Sequence, residues 1–371
     1  MKRPWIRKLY IGLLKKKRNH QRKKEAGGKP EIPRTFGPKV VAIGGGTGLS
    51  TMLRGIKAYT QNITAIVTVA DDGGGSGVLR AEYGMLPPGD IRNCIIALAN
   101  TEPSMVELLN YRFSEGGLKG QSFGNLFLAA LNGICGSFEE AVARMNEVLA
   151  VTGKVIPVTT ADVNLIAEFE DGSQIRGESK IFHHKKQHDC RITRVRLDPE
   201  RPTAVPEAIE AIYNADIVLL GPGSLYTSII PNLLVRGITE ALENTDALRL
   251  YVMNIMTQDG ETEGYTGGDH IRAIYAHGSE NIIDAVIYNN GEINERMQEK
   301  YKSEDAEPVL VERETFKNCE LFGYPLAKSG IDVARHDPQL LAKAVFSVFR
   351  KKRQRDGIYG LYDNMIAERD D

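Results

Sequence analysis

The apolar positions of this chain follow two rhythms. Short, nearly continuous apolar runs begin at Val40 (VVAI), Ile63 (ITAIVTVA), Asp216 (DIVLLG), Leu248 (LRLYVMNI), Ala285 (AVIYNN) and Pro308 (PVLV). Their length suits buried strands rather than helices. Between them, apolar residues return every three or four positions over residues 47–59, 90–100, 104–113, 124–133, 138–149, 206–213, 224–234, 269–277, 293–301 and 338–351. That is the spacing of amphipathic helices. The alternation predicts an α/β fold, a Rossmann-like doubly wound, mainly parallel sheet with helices on both faces.

Residues 151–200 break the rhythm. VIPVT is followed by NLIAEFEDGSQIRGESKI, two alternating segments about a DG turn at Asp171-Gly172, and then by RITRVRL. A DG pair between alternating segments is a hairpin signal. The region reads as a β-rich antiparallel insertion in a nucleotide-binding domain spanning 39–352. A basic tail (1–38) precedes that domain and a polar tail (353–371) follows it.

Charge separates the tail from the body. The net charge of −1 combines +11 over residues 1–30, with 12 Lys or Arg and the single acid Glu25, with −12 over the remainder. In the tail, Trp5, Leu9 and Leu13 recur every four residues, as do Ile6, Tyr10 and Leu14, with Lys8 and Lys15–Arg18 alongside. A basic helix with such a stripe suits an anionic membrane surface. A disordered extension or a nucleic-acid contact gives the same charge pattern. Cys94, Cys135, Cys190 and Cys319 are far apart and form no CxxC pair, which points to reduced thiols. No apolar run reaches the ~20 residues of a membrane span, and no signal peptide is visible. The expected location is the cytoplasm, peripheral to the membrane if the tail binds lipid.

Chemistry gathers at the predicted strand ends. Gly44-Gly45-Gly46-Thr47-Gly48 follows VVAI, and Asp71-Asp72-Gly73-Gly74-Gly75-Ser76-Gly77 follows ITAIVTVA. Glycines let backbone amides approach a phosphate, and a following helix adds its positive end. The first loop is neither a Walker loop nor a full GxGxxG. Where an NAD-binding strand ends in one acid, this one ends in two, with Arg80 downstream, which disfavours a dehydrogenase. Paired carboxylates suit a sugar or Mg²⁺. A third cradle is GPGSLYTS, with Gly221, Gly223, Ser224 and Thr227. In PPGDIRNC, Asp90 reads as an N-cap, and Arg92 caps the site or pairs with the aspartates. Asn254, Thr257 and Gln258 offer groups suited to a nucleobase edge. Several cradles at neighbouring strand ends imply a nucleotide diphosphate.

HHKKQH (His183–His188) reads as a solvated loop, lacking a Cys or acid at ligand spacing nearby. His270 and His277 lie on one helix, and at least one packs. Ser224 is outside a GxSxG elbow, and no dedicated general base is evident.

The blocks IGGGTGLS, VTVADDGGGSGVLR, PPGDIRN, GQSFGNLFLAAL, GPGSLYTSIIPNLL, NIMTQDGETEGYT and ARHDP together resemble the CofD-like family, and within it the bacterial branch of YvcK-type gluconeogenesis factors. They cover the chain from about Lys39 to Phe349. Gly75 stands where relatives often have serine. The resemblance implies a Rossmann-like fold with an insertion. It implies a regulator that binds UDP-N-acetylglucosamine or another UDP-sugar. Such a regulator is needed for cell shape and for growth on gluconeogenic carbon sources, and acts on a cell-wall-precursor enzyme. The other branch implies a Mg²⁺-dependent transferase of phospholactate from a guanosine-activated donor to a deazaflavin. On the first reading no catalytic residue and no cofactor is required, and Asp71 and Asp72 are candidate Mg²⁺ ligands. The resemblance places Gly45, Gly46, Thr47 and Gly48 at the phosphates, and Asp71, Asp72, Gly74 and Ser76 at the sugar or a metal. Asn125 contacts the ligand or packs its helix. Gly223 and Ser224 complete the anion cradle. Tyr301 and Arg335 are the residues associated with UDP-sugar binding. A homo-oligomer is expected.

Overall fold

Residues 37–355 are described by a computed structural model, apart from 189, 294, 303–304, 313–315, 317–318 and 328–333. Strand β1 (Val40–Gly44) is buried at every position, because it pairs in parallel with β2 (Ile63–Val67) on one side and β7 (Ile217–Leu220) on the other. β3 (Lys154–Pro157) extends the sheet beyond β2, and β8 (Leu248–Val252), β9 (Ala285–Asn289) and β10 (Glu320–Tyr324) extend it beyond β7. The order is β10-β9-β8-β7-β1-β2-β3, with every pair parallel. The chain builds outward from β1 in one direction and then, from β7, in the other. The reversal falls between β1 and β7, where a doubly wound sheet opens a crevice at its carboxyl edge.

Helices cover both faces. Those before the insertion are α1 (Gly46–Ile56), α2 (Gly74–Tyr83), α3 (Gly89–Leu98), α4 (Pro103–Asn110), α5 (Phe123–Cys135) and α6 (Phe138–Val148). α1 turns Leu49, Met52, Leu53 and Ile56 fully inward, and the last helix, α13 (Pro338–Arg355), closes over it. There a Cβ on Gly55 would overlap the Pro338 carbonyl, and Tyr59 stacks on Phe346 at 4.6 Å. Truncating Leu53 would cost about 2–5 kcal/mol.

The insertion is a separate antiparallel sheet, β5 (Gln174–Arg176), β4 (Asn164–Phe169) and β6 (Ile192–Asp198), in that order. The DG pair makes its predicted hairpin, with Glu168 opposite Gln174. Three details differ from the sequence reading. VIPVT forms β3 of the large sheet rather than part of the insertion, since its apolar run is buried on both faces beside β2. HHKKQH is the end of a helix, α7 (Glu178–His188). It is not a solvated loop, because Ile181 and Lys185 are buried and Lys185 pairs with Glu263 at 3.2 Å. PVLV makes only an isolated bridge from Pro308 to Met256, since proline cannot donate to a ladder. The sheet edge is instead β10, whose half-buried ELFGY lacks a continuous apolar run.

The second half continues with α8 (Pro206–Asn214), α9 (Ile230–Leu233), α10 (Ile238–Asn244), α11 (Gly267–His277) and α12 (Glu295–Lys302). The segment expected as one helix from Ser224 starts as a π-helical turn over Leu225–Ile229, ahead of Pro231, which cannot donate to the turn before it. Of the predicted tails, residues 1–36 and 356–371 lie outside the described residues, and with them the amphipathic stripe from Trp5 to Leu14. Among the described residues no single helix is long and apolar enough to cross a membrane; α5 and α6 reach that length only as a pair bent by 119°.

Candidate functional site

The carboxyl ends of β1 and β7 open into one cleft of about 400 Å³. One wall is the start of α1. Its N-cap, Gly45, has no side-chain hydrogen bond to offer, and no acid lies in the first turn. The first four N–H groups of a helix have no partner within it, and the dipole makes that end an anion site. Gly46 turns with φ +67°, a region glycine enters without strain, and its N–H is taken by the Asp90 carboxylate. Thr47 and Gly48 line the cleft. Gly48 must be glycine for a different reason: a Cβ there would lie 2.6 Å from the Pro222 carbonyl oxygen. Close approach of α1 to the β7 turn therefore sets the width of the cleft.

The opposite wall is Pro222, Gly223 and Ser224. Sequence reading offered these as a third anion cradle at a helix start. The following helix start is already capped. Buried Glu261 accepts from the amides of Leu225, Tyr226 and Thr227 at 2.9, 3.1 and 3.0 Å. Burial pushes its carboxyl up to about 7 against those donors. Gly223 is held by Asn254, whose Oδ1 accepts from Gly223 N at 3.2 Å and whose Nδ2 donates to Gly223 O at 2.9 Å. Ser224 Oγ donates to Gln258 Oε1 at 2.8 Å, and buried Thr257 is tied to Glu307 through its hydroxyl and its backbone. Asn254, Thr257 and Gln258 line the cleft, but their polar groups fix its wall rather than standing free for a base edge.

The outer rim carries Tyr301, Ala334, Arg335 and His336. Arg335 is exposed, and among the described residues its guanidinium has no carboxylate within ion-pair distance. His336 is buried and bonds to the Met253 backbone, and burial lowers its imidazole to about 4. It is neutral at physiological pH, and its Nε2 has no partner among the described residues.

The structure brings Gly46, Thr47, Gly48, Gly223, Ser224, Asn254, Thr257, Tyr301 and Arg335 to this cleft. Gly45 lies behind it, where a Cβ would meet Asp90 and Thr68. The other predicted residues form a second cluster around the end of β2. Gly74, Gly75 and Ser76 are the first turn of α2 rather than a free loop. Asp71 accepts from Gly73 N at 2.8 Å and from Ser76. Asp72 accepts from the amide and hydroxyl of Ser179 at 2.9 and 2.8 Å, so it anchors the start of α7. Burial raises Asp71, lifts Asp90 to about 6 and raises Glu178 well above its ordinary value; repulsion from Asp72 adds to the first, from Asp71 to the second, and from Asp71 and Asp90 to the third. Among the described residues none of these three has a Lys or Arg within ion-pair distance, and Arg80 pairs with Asp162 at 2.6 Å instead. Arg92 neither caps the site nor pairs with the aspartates. It is buried and donates to Ser122 and Asn93. Asp90 is not an N-cap, because it sits inside α3 and reaches across to Gly46. Asn125 is buried in the first turn of α5 with Oδ1 unpartnered among the described residues.

Sequence reasoning missed Glu178, Glu261, Thr51, Ser228 and His336. His336 follows Arg335 within ARHDP and Glu261 lies inside QDGETEG, so both were within reach of the motifs. Glu178 had no local signal, since only tertiary structure carries it to Asp71.

Residues 40–324 match a family model described as 2-phospho-L-lactate transferase CofD. Relatives whose names carry the words gluconeogenesis factor include one from Thermoanaerobacterium thermosulfurigenes, 56% identical over 84% of this chain and 97% of its own length. Another, from Bacillus subtilis, is 45% identical over 85% of this chain and 99% of its own length. A crystal structure of a Bacillus halodurans protein superposes with a TM-score of 0.81 at 43% identity, covering 84% of this chain and 99% of that one.

Proposed function

The chain belongs to the CofD family, and from that premise we propose that it is a gluconeogenesis factor, a regulator that binds a UDP-sugar such as UDP-N-acetylglucosamine in the β1–β7 cleft. The observation that carries this reading is the convergence on one cleft of the α1 start, where Gly46 gives its N–H to Asp90 and Thr47 and Gly48 line the wall, with the guanidinium of Arg335, unpaired among the described residues. Two phosphates need both. The helix end and its amides take one oxyanion set, and a guanidinium takes the other in its fork. The volume of about 400 Å³ falls within the range of small-molecule sites. Tyr301 offers a ring to the uracil, and His336 Nε2 offers a neutral polar atom to the ligand.

Regulation is the reading on which the ligand is sensed rather than consumed. The bound chain then acts on a cell-wall-precursor enzyme, which gives a role in cell shape and in growth on gluconeogenic carbon. A homo-oligomer and a tail-mediated membrane contact belong to the same proposal. Calorimetric titration of the full chain with UDP-N-acetylglucosamine tests it. Saturable one-to-one binding without turnover is expected, and no heat with any UDP-sugar would refute it.

A second reading, a Mg²⁺-dependent transferase of the phospholactate type, is favoured by the carboxylates of Asp71, Asp90 and Glu178, which have no Lys or Arg partner among the described residues. Repelling, half-buried carboxylates suit a cation. Asp71, whose charge repels both Asp90 and Glu178, fits Mg²⁺ better than Asp72, which anchors the start of α7 through Ser179. Bound there, Mg²⁺ would neutralise developing phosphate charge. Incubation with a guanosine-activated lactate, a deazaflavin acceptor and Mg²⁺ separates the readings: product that disappears in Asp71→Asn establishes the transferase, and no product removes it.

A further inference from the structure

The insertion brings together three side chains that are separated along the chain. Asp171 lies at the tip of the β4–β5 hairpin, His184 on α7, and Cys190 just before β6. One ligand atom from each lies within 4.8 Å of the other two. We propose that these three residues form a site for a Zn²⁺-class divalent ion, with the remaining position left to water. The donor set is a thiolate, an imidazole and a carboxylate, which suits a borderline-soft ion and not Mg²⁺ or Ca²⁺.

The ligands are held in position by their surroundings. Ser173 Oγ lies 3.0 Å from His184 Nε2, and Phe169 packs against the ring at 4.6 Å. The His188 ring packs against the His184 ring at 4.3 Å, tilted by 32°. Asp171 is oriented by Ser173, whose amide donates to its Oδ1 at 2.9 Å and whose hydroxyl also bonds to the carboxylate. Zn–N, Zn–O and Zn–S bonds of about 2.0–2.3 Å put tetrahedral ligand atoms roughly 3.3–3.6 Å apart. Closing from the present spacing takes a shift of about 1 Å, within reach of side-chain rotation at a half-exposed site.

The ion would tie the hairpin tip, the last turns of α7 and the start of β6 together. The first turn of α7 holds Asp72 through Ser179. A bound ion would therefore stiffen the helix that anchors the aspartate loop, while lying outside the β1–β7 cleft. The inference does not depend on what that cleft binds.

Cobalt titration of the chelator-treated full chain is the test. One equivalent of Co²⁺ should produce a thiolate-to-metal charge-transfer band together with visible ligand-field bands, and Zn²⁺ should abolish both. Cys190→Ser should lose the charge-transfer band. Asp171→Asn preserves the turn to Ser173 and should weaken Co²⁺ binding at least about tenfold with unchanged circular dichroism. No absorbing complex, or a spectrum and affinity unaltered in both variants, would overturn the proposal.

Discussion

Two glycine-rich strand ends sit side by side in this molecule and have different fates. The end of β1 runs straight into α1, where Asp90 takes the Gly46 amide and Thr47 and Gly48 line the cleft opposite the β7 turn. The end of β2 carries more glycines and two carboxylates, yet its polar groups serve the chain itself. Asp71 caps Gly73, Asp72 anchors Ser179, and Gln121 packs against Gly75. Glycine marks where backbone approaches something closely. The sheet topology decides whether that partner is solvent-filled space at the switch point or another segment of the same chain.

The sharpest way to break this contrast is Gly48→Ala. A Cβ 2.6 Å from the Pro222 oxygen must push α1 from the β7 turn, costing about 1–3 kcal/mol of stability. UDP-sugar affinity should fall at least about 100-fold, near 3 kcal/mol, by calorimetry. An unchanged affinity would mean that the cleft is not the ligand site.

His336 comes next. Its imidazole sits near 4 rather than the ordinary 6.5 because it is buried. Between those values the unfolded chain binds more protons than the folded one, so stability falls as pH drops from 6.5 toward 4. Removing that penalty, His336→Gln should gain up to about 3 kcal/mol on wild type by pH 4 and little at pH 7, measured by denaturant unfolding across pH. A pH-independent difference would place the histidine outside the buried environment described.

On the β2 side, Asp72→Ala removes two hydrogen bonds to Ser179. It should cost about 1–3 kcal/mol of stability while leaving UDP-sugar affinity within about twofold. A large loss of affinity would merge the two strand ends into one site. The smallest effect is expected from Arg335→Ala, an exposed residue. Affinity should fall roughly tenfold, about 1.4 kcal/mol, with the melting temperature unchanged.

The strands and both glycine-rich ends are legible in the sequence, where both ends read as anion cradles; the contrast between the ends is not, and the limits have physical causes. Parallel strands buried on both faces leave continuous apolar runs, so β1, β2, β7, β8 and β9 were plain. The edge strand β10, half-exposed and with a glycine in its middle, left no such run. α7 was hidden because HHKKQH has no apolar periodicity; its burial comes from Ile181 and from the pairing of Lys185 with Glu263. Gly48, Gly223 and Arg335 could be picked out because local motifs carry them. Glu261 capping a helix start more than thirty residues away, and Cys190 meeting Asp171 and His184, are products of tertiary approach, which motif spacing does not encode.

The position of a bound diphosphate tests the central claim most directly. A crystal structure of the full chain with UDP-N-acetylglucosamine should place both phosphates between Thr47–Gly48 and Gly223, with Arg335 turned onto them. Phosphates lodged instead against Asp71, Asp90 and Glu178, or anywhere outside the β1–β7 cleft, would contradict it.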